Sequence, residues 1–151
     1  MIRSVESNDN DGVLHIAVES GLFESDQVDV LRQMLAEPSP EDVWLVSEQD
    51  GRAIGVAYFA PEKMTRGTWN LYFIAVLPGS QKKGVGAAMV EHIAGMLTEQ
   101  GERLLLVETA GLDDFEYVRR FYQTHGFVPT AVIPNFYDDG VDKVIFTRSL
   151  T

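Results

Sequence analysis

A chain of 151 residues, 45% hydrophobic and 23% charged, has the composition of a globular protein with a substantial core, and we read residues 1–151 as one domain. A formal net charge of −11 excludes nucleic acid as the main partner, because neutralising phosphates needs a basic face. The absence of cysteine removes disulfides and thiolate chemistry, no apolar run reaches the ~20 residues of a membrane span, and the N-terminus lacks a secretory core, so a cytoplasmic location away from membranes is expected.

Met1–Val5 reads as a short first strand. Val13, Ile16 and Ala17 then mark a helix starting near Asn8 or Asp9. Ser25-Asp26 resembles the N-cap of a second helix, with Val28, Leu31, Met34 and Leu35 on one face, and Pro38-Ser39-Pro40 ends it. Both helices are expected to cover one face of a sheet. Val43–Ser47 and Ala53–Ala60 form a hairpin around Asp50-Gly51, and a loop from Pro61 to Thr68 follows. Leu71–Leu77 is a short apolar run of the kind that forms a buried strand, broken at Pro78-Gly79-Ser80.

From Val85, apolar residues recur at spacings of three and four (Ala88, Met89, Ile93, Met96 and Leu97), which predicts a helix closed by Gly101. Leu104–Val107 is a second continuous apolar strand, expected to lie parallel to the first through a right-handed crossover. Phe115–His125 reads as a helix stopped by Gly126. Phe127–Ile133 and Val144–Phe146 should form a closing hairpin around a long loop, Pro134–Asp142. The whole is α/β, a mixed sheet with helices on both faces.

Chemistry concentrates at Gln81-Lys82-Lys83-Gly84-Val85-Gly86. Its two glycines allow backbone to approach a ligand, and the helix that follows offers unpaired N–H groups and its positive dipole end to an anion. A Walker loop is excluded, since no Gly-Lys is followed by Ser or Thr. A dinucleotide fingerprint is discounted: Met89 stands at the third glycine, the junction Leu77–Lys83 is too long, and too little chain follows.

The order of apolar strand, proline break, Gln-x-x-Gly-x-Gly, amphipathic helix, second strand and Arg120-Phe121-Tyr122-Gln123-Thr124-His125-Gly126-Phe127 resembles the GNAT superfamily of acyl-CoA-dependent N-acetyltransferases from about Ala53 onwards. The resemblance implies a mostly antiparallel sheet of six to seven strands in which the parallel pair splays apart. It implies acetyl-CoA as cosubstrate, its pantetheine arm bonded to backbone near Ile74, Ala75 and Val76. Its pyrophosphate would rest on Gln81, Lys82, Lys83, Gly84, Val85 and Gly86. It implies a small-molecule or peptide amine as acceptor, and members often form homodimers through late strands.

Tyr122 matches the tyrosine that many members aim at the coenzyme sulfur; by pattern alone it would be a core aromatic beside Phe121. Phe115 stands where members often carry a coenzyme-contacting asparagine, and Asn70 where histone-type members carry a glutamate base. Asn70 accepts no proton at working pH, so Glu108, placed just after the second strand and facing the cleft mouth, is the expected general base, with Tyr72 or a water route as alternatives. His15, His92 and His125 lack metal-ligand spacing, and no metal is expected. Asn135–Gly140 reads as a hairpin tip of aromatic and acidic groups near the acceptor end. Two functions remain open at this point: transfer of an acetyl group to a primary amine, or a non-catalytic acyl-CoA-binding sensor or interaction module.

Overall fold

The computed structural model describes all residues, Met1–Thr151. Its strands are β1 (Ile2–Ser4), β2 (Val43–Gln49), β3 (Arg52–Pro61), β4 (Thr68–Val76), β5 (Leu104–Ala110), β6 (Val128–Asp138) and β7 (Val141–Ser149). Its helices are α1 (Asn10–Glu19), α2 (Ser25–Ala36), α3 (Val85–Glu99) and α4 (Glu116–Thr124). The strands form one mixed sheet in the order β1-β2-β3-β4-β5-β7-β6. β4 and β5 run parallel, as the strand–helix–strand succession predicts, whereas β1–β2, β2–β3, β5–β7 and β6–β7 are antiparallel.

Contacts gather into two compact units: Met1–Ala60 with Phe73–Ile93, and Pro61–Tyr72 with Ala94–Thr151. The first has its core where α1 and α2 meet the hairpin. Val13, Ile16, Ala17 and Leu31 pack with Trp44, Val46, Ile54, Val56 and Tyr58. Trp44 stacks on Tyr58 with ring centroids 4.5 Å apart, and Phe73 of β4 meets both edge-on or tilted. α2 begins one residue earlier than its Ser-Asp signal suggested. Glu24 is the N-cap, in a reciprocal capping box with Gln27, whose side chain accepts from the Glu24 N–H at 2.7 Å.

In the second unit both helix ends are shaped by a glycine in the left-handed region. Gly101 (φ 80°) follows α3, where Glu102 N–H donates to Leu97 O and Gly101 N–H to Thr98 O. Gly126 (φ 87°) follows α4, where Phe127 N–H donates to Tyr122 O and Gly126 N–H to Gln123 O. Each is a Schellman closure, which satisfies carbonyls the helix itself leaves unpaired. The parallel β4–β5 register runs from Thr68↔Leu104 to Leu71↔Val107, four of β4's nine residues.

Two expectations need correction. β5 does not end at Val107 but continues to Ala110, because β7 pairs with it through Ala110↔Lys143. Glu108 therefore lies within a strand, opposite Ile145, and not beyond one. The long loop Pro134–Asp142 is mostly strand as well. β6 extends to Asp138, and only Asp139-Gly140 turns the chain. The irregularity between Ile133 and Asp138, with Asn135 at φ 56°, absorbs the break that the sequence advertised.

One glycine sets how closely α3 lies on the sheet. A Cβ on Gly55 of β3 would stand 3.1 Å from both Val85 Cγ1 and Met89 Sδ, residues of the first two turns of α3 that face it. Gly55→Val should lower the free energy of unfolding by about 1–3 kcal/mol through overpacking and displace the start of α3. Urea denaturation measures the first effect, and an unchanged midpoint would mean that α3 does not rest on this glycine.

Candidate active site

The turn singled out in the sequence leaves β4 through Pro78–Ser80, a single 3-10 turn, and enters α3 at Val85. Two residues in it have left-handed backbone, Lys82 (φ 62°) and Gly84 (φ 82°). Successive residues of alternating hand turn their N–H groups toward one side, which is the geometry of an anion nest. The first intrahelical bond of α3 runs from Ala88 N–H to Gly84 O at 2.9 Å. The N–H groups of Val85, Gly86 and Ala87 precede it and take no part in the helix ladder. Gln81, Lys82, Lys83 and Gly84 are exposed, and a Cβ on Gly84 would meet nothing within 4 Å. The turn thus offers donors, positive charge and open space together, which fits a diphosphate.

The side chain of Gln81 braces the turn from behind. Its Nε2 donates to Val76 O at 3.0 Å, tying the turn back to the end of β4. Leu77 N–H donates to Ile54 O, which anchors the same exit on β3. Of the three β4 residues expected to line the coenzyme arm, Ala75 is buried while Ile74 and Val76 are partly exposed.

Tyr122 sits on α4 with 4% of its surface exposed. Its ring meets Phe121 at 5.3 Å and Phe127 at 5.4 Å, both edge-on. Phe127 follows the helix-ending glycine, so the hydrophobic contact that accompanies a Schellman closure is also what fixes the tyrosine ring. Burial pushes the phenol well above its ordinary value of 10, so it stays protonated and able to donate through the neutral and mildly alkaline range.

Glu108 is part of a polar chain. Its Oε2 lies 2.9 Å from Lys143 Nζ, and its Oε1 accepts from Asn70 Nδ2 at 3.2 Å. Lys143 is 8% exposed and sits 3.6 Å over the Phe136 ring, so its ammonium is held by a carboxylate and an aromatic face. Burial, and secondly the Glu108 charge, raise the Tyr137 phenol above its usual range. The same Asn70 nitrogen donates to Glu62 Oε1 at 2.8 Å. Glu62 was not singled out in the sequence: it lies in the loop after β3, and only the fold brings it to β4. Lys143 escaped notice for the same reason.

A groove of about 520 Å³ beside α4 holds none of these residues. Its cations are already committed, Arg119 to Ala110 O and Leu112 O, and Arg120 to Glu116. No three His, Asp or Glu side chains are grouped to hold a metal, and no helix is long and apolar enough to cross a membrane.

A sequence model of the acetyltransferase (GNAT) domain matches residues 40–129. Among solved structures, one described as a GNAT-family acetyltransferase from Desulfovibrio desulfuricans is 30% identical, with all of this chain and 99% of that one superposed at a TM-score of 0.95. The ribosomal-protein-S18-alanine N-acetyltransferase of Escherichia coli shares the fold at 22% identity, a TM-score of 0.81, and coverage of 100% of this chain and 94% of that one. An aminoglycoside 6'-N-acetyltransferase solved with coenzyme A does so at 14% identity, a TM-score of 0.82, and coverage of 100% and 97%. On the family match and the full-length likeness to the Desulfovibrio protein, this chain belongs to the GNAT family of acetyltransferases, whose cosubstrate is acetyl-CoA.

Proposed function

We propose that the protein transfers the acetyl group of acetyl-CoA to a primary amine by direct attack of the amine on the thioester. The observation that carries this reading is the turn Gln81–Gly86, with its two left-handed residues and the free first-turn amides of α3. Main-chain N–H groups there receive the pyrophosphate, and Lys82 and Lys83 add charge at its rim. The pantetheine arm runs along Ile74, Ala75 and Val76, beyond the point where the β4–β5 register stops at Leu71↔Val107. The Val76 N–H serves the oxyanion of the tetrahedral intermediate, and Tyr122 gives its proton to the departing thiolate. Glu108, on the acceptor side, belongs to the carboxylate system that receives the ammonium. An oxyanion donor and a positioned acid each contribute ~10²-fold or more, enough for an uncomplicated acyl transfer.

The acceptor is an amine of unassigned identity. Proteins of this fold are named for an alanine of ribosomal protein S18 in one case and an aminoglycoside in another, so both classes belong in the test panel with polyamines. Free-thiol release in the presence of each amine is the direct assay. Acetyl-CoA binding with no thiol release from any amine would favour a sensor over an enzyme.

Tyr122→Phe should lower kcat by ~10²-fold while leaving the dissociation constant for acetyl-CoA near wild type, since the ring contacts with Phe121 and Phe127 are kept. Equal turnover of the two proteins would remove the tyrosine from the mechanism. Because burial raises this phenol, loss of its proton should not depress kcat below pH 10, and a fall near pH 8 that vanishes in Tyr122→Phe would contradict the assignment. Gly86→Glu should abolish acetyl-CoA binding in a protein whose circular dichroism is unchanged, because a carboxylate then enters the phosphate site. Calorimetry that finds wild-type affinity in that variant would remove the cradle.

A further inference from the structure

The polar chain built on Asn70 is unevenly satisfied. Glu108 has both oxygens engaged, one by Lys143 and one by Asn70. Glu62 is half-buried, has one oxygen on Asn70 and, unlike Glu108, is in no ion pair. Asn70 itself is 1% exposed and its Oδ1 is buried without a partner, although its nitrogen serves two carboxylates. Orphaned buried acceptors are rare because they carry the full cost of desolvation, and they call for a donor. Two carboxylates meet here against one lysine, which pairs with Glu108 only, and the buried unpartnered atom beside them, Asn70 Oδ1, is an acceptor. A cluster with surplus negative charge and a spare acceptor takes a cation rich in N–H groups. A primary ammonium has three.

We propose that Glu62 receives the acceptor's ammonium and takes its proton, while Glu108 and Lys143 are positioning residues that hold Asn70, and through it Glu62, in place. This assignment rests on the acetyl-transfer reading above and moves the general base from Glu108 to Glu62. The step balances as follows. Glu62 carboxylate removes one proton from R–NH₃⁺ and becomes the carboxylic acid. The nitrogen lone pair of R–NH₂ forms the C–N bond to the acetyl carbon, the C–S bond breaks, and the sulfur leaves with the bonding pair. One proton ends on the sulfur and one on solvent, so ammonium and acetyl-CoA give amide, thiol and a proton. Lys143 also shows what the neighbourhood tolerates, a primary ammonium against a carboxylate and the Phe136 ring, and an acceptor of the same chemistry suits Glu62. The titratable groups against Glu108 are Lys143 and the Tyr137 phenol, and Glu62 is joined to them through Asn70.

The test compares Glu62→Gln with Glu108→Gln in thiol release across pH, using spermidine, kanamycin and an alanine-terminated peptide as acceptors. Glutamine at 62 keeps an oxygen for Asn70, whereas at 108 it leaves the buried Lys143 ammonium without its carboxylate. Circular dichroism therefore checks the fold of both variants before they are compared. Glu62→Gln should lower kcat by ~10²-fold and flatten the acid limb of the profile, whereas Glu108→Gln should lose less and keep that limb. In parallel, the ¹³C carboxyl resonance of Glu62 should move on titration with propylammonium chloride, in the full chain and without coenzyme. If the wild type releases thiol but Glu62→Gln keeps its kcat and its acid limb, the Glu62 assignment is wrong and the acetyl-transfer reading stands. If the Glu62 resonance moves but no acceptor releases thiol from the wild type, the ammonium site stands and the acetyl-transfer reading is wrong.

Discussion

The protein depends on a small number of main-chain N–H groups that the fold keeps unpaired. A helix start leaves such donors by necessity, but most proteins cap them with a side chain or leave them to water. At α3 the preceding turn bends through left-handed backbone at Lys82 and Gly84, and no cap side chain closes over Val85, Gly86 and Ala87. What holds the helix start in place lies behind it. Val85 and Met89 press on the bare backbone of Gly55, and Gln81 ties the turn to the end of β4. With support behind and open donors in front, the proposed anion site has little to reorganise when a diphosphate arrives.

The other chemical region obeys the opposite economy, with polar groups buried and mostly matched. Lys143 is removed from water at a cost that only a close partner offsets, and it has two, the Glu108 carboxylate and the Phe136 face. Removing either would leave a charge stranded, so this pair holds β5 and β7 in fixed relation at Glu108 and Lys143. Asn70 extends the network to Glu62. Its nitrogen is fully used and its oxygen is not, which distinguishes this network from one built only for stability.

Much of this was legible in the sequence because the relevant physics is local. The left-handed residue at Gly84 and the helix closures at Gly101 and Gly126 are properties of a few neighbouring residues. The strand–helix–strand order predicted the parallel pair, because a helix between two strands carries the chain back to begin the second in the same direction. The motif around Tyr122 marked it as a candidate, and the Phe127 ring packs against it at 5.4 Å, a contact between residues five apart in the chain. β6 was not legible. All eleven of its residues are exposed, so it shows no alternation of buried and open positions, while Pro134, Asn135 and Asp138 advertise a loop. Only pairing with β7 makes it a strand. Glu62 was hidden for a related reason: it is eight residues from Asn70 and far from Glu108 in the chain, and no spacing rule joins them.

The amides at the start of α3 can be observed directly. In a ¹⁵N–¹H titration of the ¹⁵N-labelled protein with coenzyme A, the account predicts that the cross-peaks of Val85, Gly86 and Ala87 move farthest, with the amide protons shifting downfield as they meet phosphate oxygens. Binding that leaves these three cross-peaks in place while others move would contradict it.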